Sequence, residues 1–407
     1  MAKLHRLLLA AFIESIATIF LERGFYFFTE DRLSFTRAQN SSIALAFGLM
    51  YVLGALLSHR ACLRFGEKRI LIGTIAAMAA FHFGMAMPTP TWLLCTLFAA
   101  VGLVNGMKWP VMESYVSAGR GPREQSRAIG LFSIAWSTAV PISLLITGPM
   151  IAAQQWALEG GLPVQLNLMF AAAAIANLGA MFVLRRIPAK PIHLEGDHPE
   201  RMPPNQLAAM RGLKLSFQWS LFGSYTLLFF IAPILPEMLK GLGHSVKWSS
   251  GLSAIMDLMR VASFAVLFSM TWWHGRRDLA IYSLVLLPIS FFIMLLAPNT
   301  PTIIVGQIIF GLTAGLVYFA ALYYGMVTQN AAVDAGGAHE SLIGLGFAIG
   351  PMAGLIGLGI GGRFEGVTDS AGLSIAAAPI IVLSVIMAAR TLRLRSTVEL
   401  SPADLPD

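Results

Sequence analysis

Apolar residues gather along this chain in about twelve runs, each long enough to cross a bilayer and each closed by a short polar or glycine- and proline-rich segment. The runs lie near Leu7–Phe28, Ser42–Ser58, Ile70–Met87, Trp92–Val116, Ala128–Ile151 and Leu166–Leu184. After a longer polar break they resume near Leu215–Leu235, Ser249–Trp273, Leu279–Ala297, Thr302–Val327, Leu342–Gly362 and Leu373–Ala389. The pattern predicts an all-α membrane protein of twelve transmembrane helices. Lys3 and Arg6 ahead of Leu7 imitate a secretory leader, but the apolar run outlasts a leader and the rest of the chain needs a membrane in any case.

The break from Arg185 to Lys214 holds Pro188, Pro191, Pro199, Pro203 and Pro204 among several charges, so it reads as a linker between two halves. The expected division is 1–186 for the first six-helix bundle, 187–212 for the linker, 213–395 for the second bundle and 396–407 for a tail. The halves resemble each other. Gly102-Leu-Val answers Gly315-Leu-Val, and Ile129-Gly-Leu answers Ile343-Gly-Leu, at nearly one offset. Phe65-Gly-Glu-Lys-Arg69 after run 2 likewise answers His274-Gly-Arg-Arg-Asp278 after run 8. Matches in register with the helix count are what a parallel six-plus-six repeat produces.

Charge then gives the orientation. Of 28 lysines and arginines, 20 fall in the loops and termini on the side of the N-terminus, five in the opposite loops, and three inside the runs. By the positive-inside rule both termini are expected in the cytoplasm; from the compact loops and short C-terminal tail a bacterial inner membrane is the expected location. Only 12% of residues are charged, half the usual share for a water-soluble domain. The net charge of +7 is spread over one set of loops and suits anionic headgroups, not nucleic acid. Cys62 and Cys95 form no disulfide framework and no metal-ligand spacing. Neither a P-loop, a G-x-S-x-G elbow nor an H-E-x-x-H string occurs, so neither enzyme chemistry nor a cofactor is expected.

With these features in place the chain resembles the major facilitator superfamily over nearly its whole length. The loop after run 2 reads Gly54-Ala-Leu-Leu-Ser-His-Arg-Ala-Cys-Leu-Arg-Phe-Gly-Glu-Lys-Arg69, where Arg64, Gly66, Lys68 and Arg69 fit the family's G-x-x-x-D-R-x-G-R-[KR] pattern. Leu63 stands in place of the aspartate and Glu67 in place of a basic residue. The resemblance marks Arg64, Gly66, Lys68 and Arg69, with their counterparts Gly275, Arg276 and Arg277, as gating-loop candidates. It implies two pseudo-symmetric six-helix bundles, with helices 1, 4, 7 and 10 around a central cavity and 3, 6, 9 and 12 toward lipid. Runs 3, 6, 9 and 12 carry no charge in their interiors, which agrees. The G-x-x-x-G-P-x-x-G string of many drug–proton antiporters occurs as Gly346-Phe-Ala-Ile-Gly350-Pro351-Met-Ala-Gly354, on run 11 and not on run 5.

A charge at mid-bilayer costs about 2.5–3.5 kcal/mol even on the lenient insertion scale, so charges within the runs are functional candidates. Run 1 carries Glu14, Thr18 and Glu22 on one helical face, with Arg23 adjacent. Run 4 carries Asn105, Lys108, Met112 and Tyr115 on one face, and Glu14 is expected to face Lys108 at similar depth. That pair is either a fixed strut between two helices or a coupling site. Glu113 is expected nearer the membrane edge in a loop-facing role. Run 8 carries Asp257 and Arg260 one turn apart, either an internal pair or a proton switch. Gln218 and Tyr225 on run 7, Gln307 and Tyr318 on run 10, and Trp136 on run 5 supply polar and aromatic groups for an organic ligand.

The expected function is secondary transport of a small organic solute by alternating access, with proton coupling through Glu14, Glu22 or Asp257. Multidrug–proton efflux is the alternative within transport, and a non-transporting receptor on the same scaffold the alternative outside it. Expected partners are the solute, lipid and protons; a monomer is expected.

Overall fold

The structure is a computed structural model in which residues 4–160, 166–193, 204–329, 331–364 and 366–393 are described. Residues 194–203 of the expected linker and the expected tail at 396–407 lie outside the described residues. The first half contains α1 (Leu4–Glu22), α2 (Gly24–Leu33), α3 (Arg37–Phe65), α4 (Glu67–Ala86), α5 (Thr91–Ser117), α6 (Pro122–Glu159) and α7 (Leu168–Leu184). The second contains α8 (Pro204–Ile231), α9 (Leu235–Gly241), α10 (Val246–Ser269), α11 (Arg277–Leu295), α12 (Thr300–Thr328), α13 (Val333–Arg363) and α14 (Asp369–Leu392). Among the described residues ten spans are long and apolar enough to cross a membrane, one of them the α1–α2 pair; the bent α8–α9 pair makes an eleventh and the shorter α7 completes twelve.

The first span of each bundle is broken. Between α1 and α2 the chain leaves helical geometry at Arg23 (φ −126°, ψ −42°) just before Gly24. Between α8 and α9 the axis bends by 49° across a segment holding Pro233, with Pro236 following. A proline withdraws a backbone donor from the ladder and crowds the preceding turn. Broken backbone at membrane depth is tolerated where protein or a cavity surrounds it, and both breaks lie against the interface of the two bundles.

An even number of spans returns the chain to the side on which it started, called here the terminal face. Lipid-type surface is carried by α4, α7, α11 and α14: Ile175 is 70% exposed, and Phe83, Phe182, Ile281, Val285, Ile375 and Val382 are exposed with it. These are the third, sixth, ninth and twelfth spans, the four that the resemblance turned toward lipid. So much outward apolar area suits a bilayer and not water.

The bundles meet chiefly through α3 against α13 and α6 against α10. The internal repeat maps α3 onto α10 and α6 onto α13, so these two contacts are one contact seen twice. Both depend on absent side chains. A Cβ at Gly48 would overlap the backbone of Phe347, and one at Gly148 would overlap the carbonyl of Val246. Gly48→Ala is therefore expected to destabilise the closed arrangement by about 1–3 kcal/mol, the usual cost of overpacking. Gly73→Ala, on a face with nothing within 4 Å, should leave the melting temperature unchanged or raised. Equal melting of the two variants would show that the α3–α13 contact is looser than described.

Candidate functional site

Lys108 and Glu14, on α5 and α1, form a fully buried ion pair. Thr18 donates to the same carboxylate oxygen, and the Lys108 ammonium also lies 3.3 Å from the Thr18 hydroxyl and 4.1 Å from the Trp109 ring centre. One turn further along, Glu22 accepts from the Asn105 amide at 2.6 Å. The i, i+4, i+8 face of α1 thus meets the Asn105–Lys108 face of α5 as the spacing predicted.

Asp257 and Arg260 are joined at 2.7 Å as an i,i+3 pair within α10. The pair is not internal to its bundle, because Arg23 reaches across from the break in the first span and binds the other Asp257 oxygen at 3.2 Å. One carboxylate sits between two guanidiniums, one from each bundle, and all three are nearly sealed from solvent. Trp136 of α6 underlies Arg260, with the ring centre 5.0 Å from the guanidinium carbon.

Between these clusters lies a narrow cavity of about 50 Å³. Thr18, Glu22 and Arg23 face it from the first bundle with Trp136; Tyr225, Arg260 and Tyr318 face it from the second. Tyr318 packs on Trp136 at 5.1 Å and Tyr225 on Tyr318 at 6.2 Å, an aromatic wall shared by both halves. Space for a few waters does not admit an organic solute without movement of the walls.

The other candidates stand behind this lining. Glu14, Lys108 and Asp257 hold lining residues in place but do not themselves face the cavity. Met112 is buried in helix packing. Gln307 turns to α10, where its oxygen accepts from the Met256 backbone at 3.3 Å. Gln218 lies a turn or more from the lining residues of α8. Of the gating-loop candidates, Lys68 donates to the carbonyls of Arg185 and Ile187 at 2.8 and 2.9 Å, tying the loop to the end of α7. Gly66 and Gly275 take positive φ of 84° and 71° at the corresponding turns, and the Gly275 amide donates to Tyr324. Arg276 pairs with Asp278, whose hydrogen bond raises the guanidinium further; Arg277 opens α11 and Arg64 lies over Phe65. Arg69 is an exposed residue of α4.

Sequence reasoning missed a third cluster. Glu340 and Tyr51 line the cavity, and the Tyr51 hydroxyl donates to Glu340 across the bundle interface. Glu113 is 1% exposed and not loop-facing. One carboxylate oxygen from each of Glu113 and Glu340 and a ring nitrogen of His339 lie within 4.8 Å of one another, the one set among the described residues that could hold a metal ion. By hydropathy the apolar run begins near Leu342, whereas α13 begins at Val333 and includes His339 and Glu340. The signal was present: Glu340, Ile343 and Phe347 repeat at i, i+3, i+7 and all face the cavity.

Structural comparison agrees with this architecture. The xylose–proton symporter XylE superposes with a TM-score of 0.70 at 11% identity, over 97% of this chain and 97% of that one. A structure of proton-dependent oligopeptide transporters gives 0.66 at 14% identity, over 96% and 98%. The human organic anion transporter MFSD10 gives 0.63 at 14% identity, over 95% and 98%. At these identities the likeness is one of fold. The sequence pattern of the Major Facilitator Superfamily matches residues 7–351, most of the chain, and the protein belongs to that superfamily.

Proposed function

We propose that the protein is a secondary transporter that carries a small organic solute by alternating access, with the solute bound between the bundles near mid-membrane and with protons coupled to its movement. The observation that carries this reading is the Arg23–Asp257–Arg260 bridge at the rim of the cavity. An ion bridge that crosses the interface between two rigid bundles is broken whenever they part on that side, so its making and breaking can be linked to ligand and proton. The small cavity supports the same view, since a space between touching bundles that is too narrow for a solute corresponds to an occluded stage of a cycle. The excess of basic residues on the terminal face supports placing that face in the cytoplasm. XylE and the oligopeptide transporters are described as proton-linked, which favours coupling here without identifying a solute.

Multidrug efflux is the second reading, favoured by the aromatic wall of Trp136, Tyr225 and Tyr318. A thermal-shift screen of the purified protein against sugars, nucleosides, peptides, organic acids and hydrophobic cations, at two pH values, separates the two. A ligand bound only by the folded state raises the melting temperature. One selective class of hit is expected. Glu22→Gln should weaken that hit by about 10- to 100-fold in affinity, the value of a charge-assisted hydrogen bond. Broad stabilisation by hydrophobic cations would replace the specific reading with efflux. Transport in vesicles that ignores an imposed pH gradient would remove the proton from the account.

A further inference from the structure

Among the charged side chains shielded from solvent in the interior of the spans, three cations (Arg23, Lys108 and Arg260) accompany five carboxylates (Glu14, Glu22, Glu113, Asp257 and Glu340). Lys108 is committed to Glu14, and the two guanidiniums flank Asp257 beside Glu22. The two negative charges left over fall together on Glu113 and Glu340, which meet across the interface from α5 and α13.

Their surroundings do not neutralise them. Neither Glu113 oxygen has a hydrogen-bond donor, and neither ring nitrogen of His339 has a partner, although both residues are at least 98% buried. Tyr51 of α3 supplies the one hydroxyl, to Glu340. The other titratable or charged groups that face the pair are Tyr318 of α12, packed edge-on against His339 at 5.1 Å, Tyr225 of α8, Glu22 of α1 and the already paired Lys108. Two adjacent carboxylates out of water cannot both stay ionised without a compensating positive charge. A proton on one of them provides both that charge and the donor that Glu113 lacks.

We propose that Glu113 and Glu340 form a proton-binding site that joins the two bundles near the terminal face, with Tyr51 and His339 as its flanking groups. In the closed arrangement one carboxyl O–H donates to the other carboxyl's oxygen. When α13 withdraws from α5 and α3 the pair is separated and wetted, and the proton passes to water. Closure of that face then takes up a proton and opening releases it, so alkaline pH favours the open form. The link to solute movement rests on the transport reading above; the site itself does not.

Infrared difference spectroscopy of the full chain in lipid nanodiscs, stepped in pH, tests this without a transport assay. The wild type should show a protonated-carboxyl band that is lost as pH rises. Glu113→Gln and Glu340→Gln should each remove it while keeping helical circular dichroism, and Tyr51→Phe should keep the band but shift its frequency. The band should be the same with chelator as without. A band unchanged in both glutamine variants would overturn the proposal, because the protonated group would lie elsewhere. A band that emerges only after chelator treatment, and is suppressed by added Zn²⁺ or Mn²⁺, would overturn it in favour of a metal site. A variant-sensitive band in a protein whose transport ignores pH gradients would uphold the site and overturn its coupling role.

Discussion

Lys108→Met should destabilise the protein by about 3–5 kcal/mol, the usual cost of leaving one member of a buried ion pair without its partner. Lys108 and Glu14 are each 0% exposed, and the second Glu14 oxygen already has no donor. Without the ammonium, only the Thr18 hydroxyl remains to support the carboxylate. The Lys108 stem and its contact with Trp109 would be replaced by a methionine of similar length, so little packing is lost. Adding Glu14→Leu should therefore restore most of the stability, since apolar replacement of a whole buried pair is often neutral or better. The double variant should nonetheless fail in proton-coupled transport if the pair couples, and retain it if the pair is a strut. Unfolding of both variants in detergent decides the electrostatic part. A double variant as unstable as the single one would assign the loss to packing.

The second large effect is expected at Asp257, and there it should be conformational as well as energetic. Asp257→Asn leaves Arg23 and Arg260 facing each other with no carboxylate between them, in a site where both are less than 10% exposed. A comparable loss of about 3–5 kcal/mol is expected. Because Arg23 belongs to one bundle and Arg260 to the other, their repulsion acts directly across the interface and should populate the separated form. Arg260→Met, by contrast, leaves a one-to-one Arg23–Asp257 pair and should cost less. Melting temperatures ordered with Arg260→Met below Asp257→Asn would contradict this view of the bridge.

The spans and the Glu14–Lys108 contact follow from periodicity and depth along single helices and were legible in the sequence; the lipid-facing spans came from the family resemblance, with which the uncharged runs agreed. The Asp257–Arg260 pair was legible for the same reason, being one turn apart. Its third member was not. Arg23 reaches Asp257 only because the first span breaks at residue 23 and turns that side chain into the other bundle, and the short polar interruption Glu22-Arg23-Gly24 does not announce a break. Glu340 was hidden differently. The glycine- and alanine-rich stretch before Leu342 has low hydropathy and reads as a loop, yet Gly336 is needed because α13 packs there against Pro110 and Glu113 of α5. Small residues that permit close helix approach look like loop residues to a hydropathy scan. Contacts between the halves are fixed by how two repeats dock, and no single-helix pattern encodes them.

Alternating separation of the bundles at the two faces of the cavity is tested by spin-label distances in nanodiscs with Cys62 and Cys95 removed. One label pair would join Arg64 to Arg277 at the terminal face, and the other Thr91 to Asn299 at the opposite face; all four positions are exposed. Across pH and with a ligand from the thermal screen, the two distances should change reciprocally, one pair lengthening as the other shortens. Two distances that stay fixed, or that lengthen together, would contradict it.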